Sequence, residues 1–167
     1  MQITIADRND RDGFILTGDN AVVDAGKSEV ELQGNVGMKS SNGLSAQTGT
    51  ASYLDDGGIV HMPGSAYFVR DELNAAVRGA EYDRNRDVLR LLDQAHVDLL
   101  NASTHTRITS GSATLAQTDA YMEFEERVKI ETGGQEMMAE RARITTTGQG
   151  NLPVSYTHLT LPTSDLV

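Results

Sequence analysis

The sequence has no cysteine, no tryptophan and only three prolines among its 167 residues. Without cysteine there is no disulfide framework, no thiolate zinc site and no cysteine nucleophile. Cationic residues are also scarce, 14 Lys and Arg against 24 Asp and Glu, for a net charge of −10. A phosphate-backbone partner needs Lys and Arg to displace counterions, so nucleic acid is excluded as an expected ligand. The acidic surface speaks for solubility. No run approaches the roughly 18 apolar residues of a membrane helix. The opening stretch, "MQITIADRNDRDGF", lacks the basic and apolar regions of a secretory signal. Residues 1–12 are therefore read as a truncated lead-in. No G-x-S-x-G, P-loop or G-x-G-x-x-G occurs, and neither enzymatic activity nor a cofactor is expected.

What is plentiful is glycine, with 16 copies, together with Thr, Ser and Val, a composition of strands and turns. The chain repeats itself. Ala21, Ala51, Ala80, Ala113 and Ala142 recur at intervals near 30 residues. Two positions after each stand Val23, Tyr53, Tyr82, Leu115 and Ile144. Apolar residues recur in fixed register beyond the first four anchors, as in Val30, Leu32, Val36 and Met38 or Leu89, Leu91, Ala95 and Val97. A period of two within each arm marks strands with one apolar face. Between the arms lie "DAGKSE", "LDDGGI" and "DRNRDV", rich in the residues tight turns require. Asn42-Gly43 is a hairpin signal, because both residues tolerate positive φ.

Short turns at both ends of each arm predict an antiparallel meander of about nine strands. They are 13–23, 29–38, 44–53, 59–68, 73–82, 87–97, 106–115, 120–130 and 136–145. In the anchor strands the apolar parity shifts by one residue near Gly18, Gly49, Gly79 and Gly111. A one-residue bulge there keeps both halves facing inward and bends the strand, so the sheet curls over itself. The inward set by parity is Val30, Leu32, Val36, Met38, Tyr53, Val60, Met62, Phe68, Tyr82, Leu89, Leu91 and Val97. Many Ala stand beside them. Small residues either let the halves of the sheet approach closely or leave a groove for an apolar ligand.

The motifs "GFILTGDNAVVD…EVELQGNV", "GLSAQTGTASYLDDGGIVHM" and "LNAAVRGAEYDRNRDVLRL" resemble the OstA-like β-jellyroll (β-taco) domain of lipopolysaccharide transport. Its A-x-Y-D turn followed by V-x-L-x-G-x-V is present, degenerate in the fourth unit. The resemblance covers residues 13 to 147, and the single degenerate array is more similar to the LptC type than to the LptA bridge type. It implies a non-enzymatic periplasmic protein that holds lipid A acyl chains in an apolar groove, with the twelve inward residues as its lining. Its implied partners are lipopolysaccharide, neighbouring jellyrolls joined by edge-strand pairing, and the inner-membrane ABC transporter complex for an LptC-like tether. The LptA-like bridge is the alternative within the family. From other classes come a structural or adhesive β-repeat with a closed core, and a carbohydrate-binding sandwich, which would want exposed aromatics.

Other chemistry is thin. His61, His96 and His105 share no ligand spacing, so no zinc site is expected. Asp55-Asp56-Gly57-Gly58 lacks the ligand ladder of a calcium loop and reads as a turn. Glu123 and Glu125 share the outward face of a strand whose inward residues are Met122 and Phe124, so with Glu126 they read as surface charge. The stretch "VSYTHLTLPT", within residues 151–167, resembles the conceptual translation of a transposase-type sequencing adapter. It is set aside as a non-native tail, leaving 13–150 as the domain.

Overall fold

The computed structural model describes residues 5–6, 14–24, 26, 28–40, 43–54, 57–100, 104–117, 120–145 and 154–157. The alternating arms form strands throughout: β1 (Ile5–Ala6), β2 (Phe14–Thr17), β3 (Asn20–Asp24), β4 (Glu29–Ser40), β5 (Ser45–Leu54), β6 (Ile59–Arg70), β7 (Leu73–Asp83), β8 (Val88–Leu100), β9 (His105–Ser110), β10 (Ser112–Ala116), β11 (Tyr121–Thr132), β12 (Gln135–Thr145) and β13 (Val154–Thr157). All pair antiparallel in one sheet, each with its neighbour in sequence. β2 and β3 share one place beside β4, and β9 and β10 share one between β8 and β11. The nine arms read from the sequence are thus present, two of them divided, at Gly18-Asp19 and at Gly111.

Several strands run two or three residues past the expected ends, because the hairpins are tight. Arg70 pairs with Leu73 across a two-residue turn, and Thr132 with Gln135 across Gly133-Gly134. Both of those glycines have positive φ, as a turn that matches strand twist demands. Asn42 and the pair Asp55-Asp56 lie outside the described residues. Gly43, after Asn42, has a φ of 93°. β1 and β13 were not expected. β13 lies in the stretch set aside as non-native, and its backbone pairs with β12. An open edge offers its hydrogen bonds to any extended segment, whatever its side chains.

The sheet bends along a line crossing every long strand. Register shifts fall between Gln33 and Val36, Thr48 and Ser52, Met62 and Ser65, Ala76 and Arg78, and Glu125 and Val128. Gly18, Gly49, Gly79 and Gly111 lie on this line, as their parity shift predicted. In β4, β8 and β11 left-handed residues make the bend: Gly34 with Asn35, Gln94, and Glu126 with Arg127. A crease at this line gives two layers from one sheet. The first layer holds residues 14–17, 36–40, 44–48, 65–77, 95–100, 104–110 and 128–139, and the second holds the other halves of these strands.

One contact measures the fold. Arg70 ends β6 beside the start of β7, while Asp87 lies beyond the far end of β7. A straight strand of that length would hold them roughly 33 Å apart. Their side chains instead meet at 2.8 Å, so the two ends of the same hairpins have been brought together. Between the layers lie Leu32, Val60, Val97, Ile108, Phe124 and Ile144, each fully buried. Ala51, Ala80, Ala113 and Ala142 are buried beside them and let the layers approach closely.

The outer face carries charge. Arg141 and Arg143 meet Glu123 and Glu125 across β11 and β12, and the Arg143 guanidinium lies 4.1 Å from the Tyr121 ring centre. Asp98 accepts hydrogen bonds from Arg107 and from the His105 ring. Burial pushes the Asp98 carboxyl up, but the His105 and Arg107 hydrogen bonds and charges prevail and hold it below its usual range. A carboxylate lowered in this way adds stability above its unfolded pKa, and that stability is lost as pH falls through the folded value. Asp98→Asn should therefore flatten the acid limb of a urea-midpoint profile below about pH 4.

The crease makes a sharper prediction. A Cβ on Gly34, whose φ is 81°, would stand 2.8 Å from the Asp19 carboxylate, whereas one on Gly49 meets nothing within 4 Å. Urea unfolding should find Gly34→Ala destabilised by about 1–3 kcal/mol and Gly49→Ala neutral or more stable by about 0.4–1 kcal/mol.

Candidate functional site: the apolar interior and its lip

Of the twelve inward candidates, eleven are buried between the layers: Leu32, Val36, Met38, Tyr53, Val60, Met62, Phe68, Tyr82, Leu89, Leu91 and Val97. Val30 is half-buried. It pairs with Val23 on the short edge strand β3, and Val23 is itself 70% exposed. Among the described residues no strand beyond β3 covers this corner of the second layer, which parity cannot reveal.

The interior is tightly closed along the crease and looser at the strand ends. A cavity of about 270 Å³ opens where the lips of the two layers face each other. Leu44, Leu73, Leu99 and Leu100 reach it from the first layer, and Leu89, Leu115, Ala116, Tyr121 and Met122 from the second. Among the twelve candidates only Leu89 lines it. Such a volume lies just under the roughly 300–1,000 Å³ of small-molecule pockets. It has room for part of one hydrocarbon chain and not for several.

A polar clasp spans the lips. Arg70 Nη2 donates to Asp87 Oδ1 at 2.8 Å, and Nη1 donates to Gln117 Oε1 at 2.7 Å. The Tyr82 hydroxyl donates to the same Asp87 oxygen at 2.7 Å. Nearby, Arg84 Nη1 donates to the Tyr53 hydroxyl at 3.0 Å. Both tyrosines are therefore core residues whose polar tips reach the rim, as their amphipathic rings allow. The Arg70 and Asp87 side chains retain only 12% and 15% of their exposure. Among the described residues, Arg70 Nε is buried with no acceptor. A buried donor left unpaired costs about 1–3 kcal/mol, so the clasp is an imperfect closure.

The sequence singled out none of Arg70, Asp87 and Gln117. "DRNRDV" and the short connection after the arm 59–68 read as turns, and they are turns. That these turns face each other depends on how sharply the strands bend, and periodicity carries no angle. A usable signal existed for the cavity walls: Leu44, Leu73, Leu115 and Met122 hold inward parity at the arm ends.

The remaining side chains scatter. His61 lies 3.5 Å from Glu81 on the outer face and His105 joins Asp98. Glu126 sits at the crease with a φ of 70°, and the expected surface charges Glu123 and Glu125 are ion-paired, on an interior strand and not at an edge.

A conservative test separates packing at the crease from packing at the lip. Phe124→Ala, at a fully closed position, should cost about 3–5 kcal/mol in urea unfolding. Leu100→Ala, at a lip residue that remains 43% exposed, should cost less than about 1.5 kcal/mol, because part of its surface never left water.

No protein-family model matches the chain, and no curated protein matches it. Among solved structures, the chain is similar to LptH from Pseudomonas aeruginosa, described as the LptA homologous periplasmic component of the conserved lipopolysaccharide transport device. The TM-score is 0.42 and the identity 13%, over 95% of this chain and 93% of that one.

Proposed function

We propose that the protein is a non-enzymatic carrier of lipid acyl chains, an OstA-like jellyroll acting in periplasmic lipopolysaccharide transport. The observation that carries this reading is a single bent sheet with one apolar face turned inward and an apolar cavity at its lip. The repeat motifs quoted above support the same family. Each buried methylene is worth about 0.8 kcal/mol, so a multi-chain lipid crosses water too slowly without an apolar host. Successive grooves of similar apolarity make transfer nearly isoenergetic, and no catalytic residue is needed. Lipid A is the proposed cargo. Within the family, the degenerate array favours an LptC-like component working beside an ABC transporter, with an LptA-like bridge as the alternative. The β3 edge, which among the described residues pairs only with β4, supports pairing with a neighbouring jellyroll.

A structural β-repeat with a closed core is the second reading, favoured by the near-complete burial of the side chains at the crease. The two differ in what the interior admits. A photoreactive residue replacing Leu91, buried in the interior, should crosslink lipopolysaccharide in cells that make it. The same group replacing Arg90, exposed on the outer face, should not. Labelling confined to Arg90, or absent at both, decides for the structural repeat.

A further inference from the structure

We infer that the lip cavity is the entry site for a single acyl chain and that Arg70, Asp87 and Gln117 form the latch that closes it. This rests on the carrier reading, because a latch matters only where something passes. Three observations lead to it. The clasp is a side-chain bridge from one lip to the other: Arg70 belongs to the β6–β7 hairpin of the first layer, Asp87 to the β7–β8 hairpin of the second, and Gln117 follows β10. The cavity lies against these same residues, walled by Leu44, Leu73 and Leu99 on one side and Leu89, Leu115 and Met122 on the other. The closed state is also incompletely satisfied, since the buried Arg70 Nε finds no acceptor among the described residues.

Opening would return that donor, and the Asp87 carboxylate, to water. What opening exposes is leucine and methionine surface, and a hydrocarbon chain covers that surface again. The closed latch and the loaded groove are thus alternative ways of keeping the lip dry. The chain enters tail first. Among the described lining residues Asp71, Glu72 and Asp87 stand against one cation, Arg70, so an anionic head is repelled and stays outside. The volume fits part of one chain, so loading a many-chained lipid means passing chains inward while the layers part.

The test uses the full chain, two side-chain variants and a control. Arg70→Met keeps the apolar stem and removes the ion pair. Amide hydrogen exchange at the lip, read at Leu99, Leu100, Leu115 and Ala116, should accelerate on the order of tenfold, the scale of one lost charge-assisted hydrogen bond. Exchange at Leu32 and Phe124 near the crease should not change. The neutral dye N-phenyl-1-naphthylamine should enter faster by a similar factor, and its neutrality removes any direct pull from Arg70. Reversing the pair, Arg70→Asp with Asp87→Arg, should restore slow exchange and slow entry. Arg141→Met removes outer-face ion pairs with Glu123 and Glu125 and should leave lip exchange as it was.

Lip exchange in Arg70→Met as slow as in the unaltered chain overturns the latch, whatever the dye does. Equal acceleration at lip and crease also overturns it, since that is general loosening. Accelerated exchange with no dye entering any variant keeps the lip contact but removes the carrier reading beneath it, and the entry site with it.

Discussion

Everything in this molecule follows from one requirement: a sheet with a single apolar face and no helix to cover it must cover itself. The described residues contain no helix. Burial can come only from the sheet meeting its own surface, and antiparallel ladders resist that because their strands are long and stiff. The crease resolves the conflict. Bulges and left-handed residues at matching depth in successive strands let every ladder turn at one line. Side chains that would otherwise change face stay inward on both sides of it.

The crease also sets where the interior is strong and where it is weak. Near the bend the layers are joined covalently through every strand, and Leu32, Val60 and Phe124 lose all exposure. At the lips the layers are joined only by side chains. There the packing gives way to a cavity, and an ion pair and a glutamine do the joining. The proposed carrier function would draw on this gradient, because local opening uses the least stable part of a structure.

Much of this was legible in the residues. The arms, their turns and their inward faces are encoded by a period of two that has no competing helical reading. Gly18, Gly49, Gly79 and Gly111 announced the bend, because parity breaks beside each of them. The other half of the crease was silent: at Gly34-Asn35, Gln94 and Glu126-Arg127 the left-handed residues leave inward parity unchanged, so no pattern breaks. Val30 was placed inward, and its half-exposure follows from a short edge strand that parity does not see. Arg70 and Asp87 looked like ordinary turn residues, since their meeting depends on the bend angle and not on the spacing of either.

The central claim is that the two layers part at the lip to hold an acyl chain. The chain lacks cysteine, so spin labels placed through Glu72→Cys and Arg86→Cys report only the gap between the two lips. Pulsed electron–electron resonance should give a single short distance for the empty protein and a longer one when purified lipopolysaccharide is added. A distance that stays the same with lipopolysaccharide bound would contradict the account.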